Sequence, residues 1–229
     1  MGNDPADDAA AGTPASSPCL LGELERHSGQ PAPETAADVT RWRRVEREWL
    51  LAARLALAPD YRAAQTAAMI RALEQLTVIG PAATVSLYWP MRAEPDLRPW
   101  MAHLCEQGRR VALPVVVERR QPLVFREWRP GARLAHGIWN IPYPADGAEV
   151  VPEVSIAPVV GFDRDCFRLG YGGGYFDRTL AKLQPRPLAI GLGYPSAELA
   201  TIYPQPHDVP MDWIVTGSAP ALSRGARAR

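Results

Sequence analysis

Between Arg168 and Asp177 the chain places four glycines in five positions, Gly170, Gly172, Gly173 and Gly174. Tyr171 interrupts them, and Tyr175 and Phe176 follow. Glycine lets main-chain N–H groups approach a ligand closely. Successive N–H groups in such a turn form an anion nest, and a helix N-terminus adds unpaired donors and a positive dipole end. Arg168 supplies a fixed positive charge, and Asp177 could hold a divalent cation against phosphate oxygens. This chemistry suits phosphate. The spacing fits neither the Walker A pattern nor the dinucleotide G-x-G-x-x-G, so a purely structural glycine turn stays open.

The elements around this stretch set its context. An apolar run over residues 154–162 reads as the strand that leads into it, and residues 175–182 read as the helix that leaves it. Upstream, Asp38 or Thr40 can cap a helix that runs to about Leu57. At about 100° per residue, Arg43, Arg47 and Arg54 fall within about 40° of one another. Val45, Trp49, Ala52 and Ala56 lie opposite, and this is the side expected to pack. The arginine face is either solvated or turned to an anion. A second helix is expected over residues 61–76, after the break at Ala58-Pro59-Asp60.

Strands are expected at residues 84–89 and 110–117 with a helix at 97–107 between them, a β-α-β unit that implies parallel pairing and a right-handed crossover. Ligands on such sheets bind beyond the carboxyl ends of the strands, where Glu94 falls. A lone loop glutamate is usually just solvated. Further strands read at 123–128, 188–192 and 213–216. A stiff, proline-bounded loop at 137–144 carries Trp139 and Tyr143. The pair His207-Asp208 is weak evidence for a metal. These features imply a single α/β domain with a mostly parallel central sheet flanked by helices.

Composition narrows the function. The 229 residues hold 25 basic and 25 acidic side chains, so no global field draws nucleic acid or an acidic membrane. Three scattered cysteines argue against a disulfide framework and suit a reducing compartment. No run is apolar enough to span a bilayer, and no secretory signal opens the chain. A cytoplasmic monomer is expected, with no nucleic-acid or membrane partner. Residues 1–37 are poor in large apolar side chains and read as a disordered extension, with a short helix possible at 20–26. Residues 38–217 form the domain, and 218–229 a flexible tail.

The segment Phe162-Asp163, then Arg168 through Arg178, closely resembles the signature of the 5-formyltetrahydrofolate cyclo-ligase family, also called methenyltetrahydrofolate synthetases. Arg43 and Arg47, the run from Leu87 to Glu94, Trp139-Asn140-Ile141-Pro142, and the stretch from His207 to Thr216 follow in that family's order. The resemblance implies ATP- and Mg²⁺-dependent closure of 5-formyltetrahydrofolate to 5,10-methenyltetrahydrofolate. It implies that ATP meets Arg43, Arg47 and the loop Arg168, Leu169, Gly170, Tyr171, Gly172, Gly173, Gly174, Tyr175 and Phe176. The reduced folate would meet Trp89, Glu94, Trp139 and the stretch from Tyr171 to Tyr175. Asp177 and Asp208 would serve magnesium, with Arg168, Tyr175 and Asp177 as the catalytic set. Four positions depart from the family pattern: Arg43 stands for lysine, Tyr143 for an acidic or amide residue, Phe176 for tyrosine and Val159 for glycine. They leave two alternatives, a non-catalytic nucleotide- or folate-binding paralogue and an ATP-dependent enzyme on another formyl or amide compound.

Overall fold

The computed structural model describes residues 32–77, 79–80 and 83–227. The extension and the short helix expected at 20–26 lie outside the described residues.

Helix α1, Ala36–Leu55, starts three residues earlier than a cap at Asp38 would place it. Thr35 is its N-cap, and Asp38 closes a capping box by accepting from the Thr35 backbone. Helix α2, Pro59–Gln75, opens on Pro59, whose missing N–H costs nothing in a first turn. Helix α3 is Arg98–Glu106 and α4 is Tyr175–Lys182.

The main sheet joins β1 (Val85–Ser86), β2 (Val111–Val115), β3 (Val124–Trp128), β6 (Glu149–Val150), β7 (Val154–Pro158), β10 (Leu188–Leu192), β11 (Trp213–Val215) and β12 (Leu222–Ser223). Its order is β12-β11-β10-β7-β1-β2-β3-β6. The five central strands from β11 to β2 are parallel, with Val85 opposite both Val111 and Val154. β3, β6 and β12 add antiparallel edges, and β4 (Leu134–His136) pairs with β5 (Pro142–Pro144) as a separate antiparallel hairpin. Within the segment 218–229, Leu222–Ser223 pair with β11 as an edge strand.

Alternation along the strands builds two unlike faces. Val85, Leu87, Leu113, Ile156, Ile190 and Leu192 turn to one side, against Met69 and Leu73 of α2 and Met101 and Leu104 of α3. Each such fully buried side chain contributes roughly 1.5–3 kcal/mol. Small residues face the other way. Ser86 and Ser155 are bonded to each other at 3.1 Å, and Ala157 and Ala189 lie against Leu180 of α4, Met211 and Ile214.

Two sequence expectations are overturned. The run at 154–162 is not one strand into the glycines. β7 ends at Pro158, and a small hairpin intervenes, β8 (Gly161–Phe162) with β9 (Arg168–Leu169). Asp163 makes that turn. Its carboxylate accepts from the amides of Asp165, Phe167 and Ile202, each at 3.1 Å. The second correction concerns α1, whose faces are reversed. Arg43, Glu46, Leu50 and Arg54 are buried, while Val45, Trp49, Ala52 and Ala56 are exposed. Hydrophobic periodicity points the wrong way here because the arginines have carbonyl and carboxylate partners inside, which offset their desolvation.

Candidate active site

The glycine loop, residues 170–174, lies between β9 and α4. Its shape needs glycine at two points. Gly172 has φ +92° and Gly174, the N-cap of α4, has φ +62°. α1 crosses the loop. Arg47 Nε donates to the Gly170 carbonyl at 2.8 Å. A Cβ built on Gly172 would stand 3.5 Å from the Arg47 guanidinium carbon. Desolvation and the neighbouring Arg43 charge lower the pKa of Arg47. An anion here would relieve both effects.

Arg168 enters from the other side. It is buried, pairs with Asp177 at 3.2 Å and lies 5.2 Å above the Phe176 ring. Burial lowers its pKa, against the pull of Asp177 and Asp208. Its Nε is buried with no hydrogen-bond partner in the structure. Phe176, where the family resemblance leads one to expect tyrosine, offers Arg168 a ring face and no hydroxyl.

Arg43 reaches the same region but is already engaged. It clasps Asp208 through two hydrogen bonds, of 2.5 and 3.2 Å, and donates to the Ile202 and Tyr203 carbonyls. Asp208 also accepts from Gln205 N. Burial works to raise the Asp208 pKa, and the bonds from Arg43 and Gln205 outweigh it, holding the carboxyl below the usual range. The next residue, Val209, donates its N–H to Asp177 at 3.2 Å. The structure therefore gathers Arg43, Arg47, Arg168, Asp177 and Asp208 around one loop. Among the described residues no cluster of three or more His, Cys, Asp or Glu could hold a metal by itself. Magnesium carried on a polyphosphate needs only one or two carboxylates, the rest being phosphate and water oxygens. Asp177, with spare lone pairs on both oxygens, fits that role. Asp208 would first have to loosen its hold on Arg43.

Glu94 sits beyond the end of β1, as expected, but is buried rather than solvated. Arg92 and Ala93 take left-handed φ of +46° and +59° to turn it inward. Its Oε2 accepts from Met91 N at 2.9 Å and its Oε1 from the Tyr171 hydroxyl at 2.6 Å. Burial raises the Glu94 pKa, opposed by Tyr171, Arg54, the Met91 amide and Arg92. Glu94 and the glycine loop are therefore joined, through Tyr171.

The aromatic candidates divide. Trp139, at φ +60°, is 58% exposed and meets Tyr175 edge-on at 5.5 Å. The Tyr175 hydroxyl accepts from the N–H of Arg120 at the surface. Trp89 is half-buried against the main core, with Arg98 5.4 Å above its ring. Tyr143 stacks under Arg126 at 5.5 Å. An open cleft of about 440 Å³ lined by Arg129, Arg133 and Asp146 shares none of these residues. Cys166 is buried in the β8–β9 turn, and burial pushes its thiol up to about 11, so it is unreactive. Sequence reasoning missed Arg54 as a partner of Glu94; its place on the arginine face was the available signal.

Fold and site define an α/β protein with an arginine-lined glycine loop at the carboxyl ends of a parallel sheet, beside a buried carboxylate. The model of the 5-formyltetrahydrofolate cyclo-ligase family matches residues 39–217, and the chain belongs to that family. A 5-formyltetrahydrofolate cyclo-ligase of Mycolicibacterium smegmatis is 34% identical over 141 residues, 58% of this chain and 73% of that one. The Escherichia coli protein of the same name is 31% identical over 142 residues, 59% of this chain and 78% of that one. The solved 5,10-methenyltetrahydrofolate synthetase of Aquifex aeolicus superposes with a TM-score of 0.70 at 25% identity, covering 80% of this chain and 93% of that one.

Proposed function

We propose that this chain catalyses ATP-dependent closure of 5-formyltetrahydrofolate to 5,10-methenyltetrahydrofolate, releasing ADP and phosphate. One observation carries the reading. The glycine loop meets Arg47 through Gly170 and Glu94 through Tyr171, so a phosphate-holding element and a ring-holding carboxylate share one loop.

The chemistry follows from the poor leaving ability of a formamide oxygen. That oxygen attacks the γ-phosphorus, and the bond to ADP breaks. The second folate nitrogen then attacks the activated carbon and sheds its proton, and phosphate departs with the C–O bond. Phosphoryl transfer asks the protein for positioning and charge neutralisation rather than covalent help. The loop amides, Arg47 and Arg168 would receive the phosphates. Arg43 would act at one remove, by holding the Asp208 segment in place. Asp177 would hold a magnesium ion, which supplies neutralisation of phosphate charge. Glu94 would accept hydrogen bonds from the pterin's amino and ring N–H groups, and Trp139 with Tyr175 would cover its exposed edge. Trp89, packed into the core, would support the β1 exit from behind.

Among the described residues no helix is long and apolar enough to cross a membrane. We place the enzyme in the cytoplasm as a monomer acting on two small molecules. The test is spectrophotometric: purified protein, ATP, Mg²⁺ and 5-formyltetrahydrofolate should yield methenyltetrahydrofolate absorbance, and Asp177→Asn should lose most of it. No turnover with every substrate saturating would leave the non-catalytic paralogue as the better account. ATP hydrolysis driven by a different formyl or amide compound would favour the third reading.

A further inference from the structure

Arg54 lies two turns beyond Arg47 on the buried face of α1, yet it does not join the phosphate group. Its side chain is 7% exposed, and that of Glu94 is 1%. Nε donates to the Arg92 carbonyl at 3.0 Å and one terminal nitrogen to the Val159 carbonyl at 3.4 Å. The other donates to the Tyr171 hydroxyl at 2.5 Å and stands 3.9 Å from Glu94 Oε1. The Tyr171 hydroxyl accepts from Arg54 and donates to Glu94. Three elements therefore meet at one oxygen: α1, the loop leaving β1 and the glycine loop. Beside Arg54, Val159 and Tyr194 the free volume is about 10 Å³, room for no more than one water.

Tyr171 thus donates to the carboxylate oxygen that a pterin N–H would use. A folate ring that bonds Oε1 would compete with that hydroxyl, which the glycine loop carries. Arg54 touches both partners. We propose that Arg54 is a positioning residue that couples the two substrates, holding Glu94 ready for the folate ring and tying its occupancy to the glycine loop through Tyr171. This rests on the reading of Glu94 as the pterin acceptor. Coupling of this kind is reciprocal: ATP and folate must change each other's affinity by the same factor.

The groups that face Glu94 are Arg54 from α1, Arg92 on its own loop, Tyr171 from the glycine loop, and Tyr88 and Tyr194 from the segments after β1 and β10. Burial favours the neutral acid, and Arg54 and Arg92 oppose it. Removing Arg54 therefore moves the titration of Glu94 upward.

The experiment uses the full chain and the variants Arg54→Leu, Arg54→Lys and Tyr171→Phe. It reads kcat and the KM for 5-formyltetrahydrofolate from pH 5 to 9. It also reads the affinity for 5-formyltetrahydrofolate by calorimetry with and without a non-hydrolysable ATP analogue. Arg54→Leu should raise the folate KM, most at the acid end of the range, with its acid limb displaced upward and a smaller change in kcat. Arg54→Lys should restore most of the limb. Both Arg54→Leu and Tyr171→Phe should bring the coupling factor towards one. A general loss of kcat with an unchanged folate KM and limb would mean that Arg54 only supports the fold, and would overturn the proposal. If Arg54→Leu does not fold, Tyr171→Phe decides alone: coupling equal to the unmodified protein's overturns it. Failure of the underlying reading looks different, because the unmodified protein would then bind no folate, or Glu94→Gln would bind it equally well.

Discussion

Arg47 Nε and the Gly170 carbonyl lie 2.8 Å apart, which ties the opening helix to the glycine loop across 123 residues of sequence. The bond leaves the terminal nitrogens of Arg47 beside Gly172, where a phosphate would arrive. Arg47→Ala should therefore lower kcat/KM by about 10²–10³, the loss typical of one preorganised donor or roughly 3–4 kcal/mol of barrier. Arg168→Ala should fall in the same range. Steady-state kinetics at varied ATP checks both, and an unchanged ATP dependence would remove these arginines from the phosphate site.

Arg43 is expected to matter for stability. It is one half of a buried, doubly bonded pair with Asp208, and both side chains are 9% exposed. Arg43→Ala strands a buried carboxylate and should cost about 3–5 kcal/mol in urea unfolding. Arg43→Lys keeps the charge without the planar fork, so it should recover only part of that.

Gly172 is held at a φ that L side chains rarely adopt. Gly172→Ala should destabilise the loop by about 1–2 kcal/mol and crowd Arg47. The expected readout is a raised KM for ATP with a melting temperature lowered by only a few degrees. Unchanged ATP kinetics would show that the loop does not approach phosphate closely.

Asp163 gives a pH dependence. Burial raises its pKa above the ordinary value, despite three amide donors that act to lower it. A carboxyl raised in the folded state contributes stability that is complete below its unfolded value, about 4, and is lost as pH rises through the folded value. The stability margin of the unmodified protein over Asp163→Asn should therefore be larger near pH 4 than at pH 7. Thermal melts of both across that range measure it, and a margin that grows with pH would contradict the assignment.

Much of the fold was legible because its signals are local. The break at Ala58-Pro59-Asp60, the apolar runs at 110–117 and 188–192, and the glycines before α4 each act within a few residues. The orientation of α1 was not legible. Its outer face carries Val45 and Trp49, and its inner face carries arginines whose partners come from residues 92, 159, 170, 171, 202, 203 and 208. No window on the helix contains those acceptors. The β8–β9 hairpin was hidden for a similar reason: an unbroken apolar run cannot show that Asp163 is fed by an amide 39 residues away. For the site, residue types pointed to the glycine loop, while Glu94 stood out by its place after a strand and by the family resemblance. The bond that unites them depends on where Tyr171 points, which spacing does not encode.

The most direct test follows phosphate release and methenyltetrahydrofolate absorbance together in one reaction. One phosphate per ring closed, with negligible release when 5-formyltetrahydrofolate is omitted, is the predicted result. Phosphate released without ring closure, or no phosphate at all with both substrates saturating, would contradict a loop that serves both substrates.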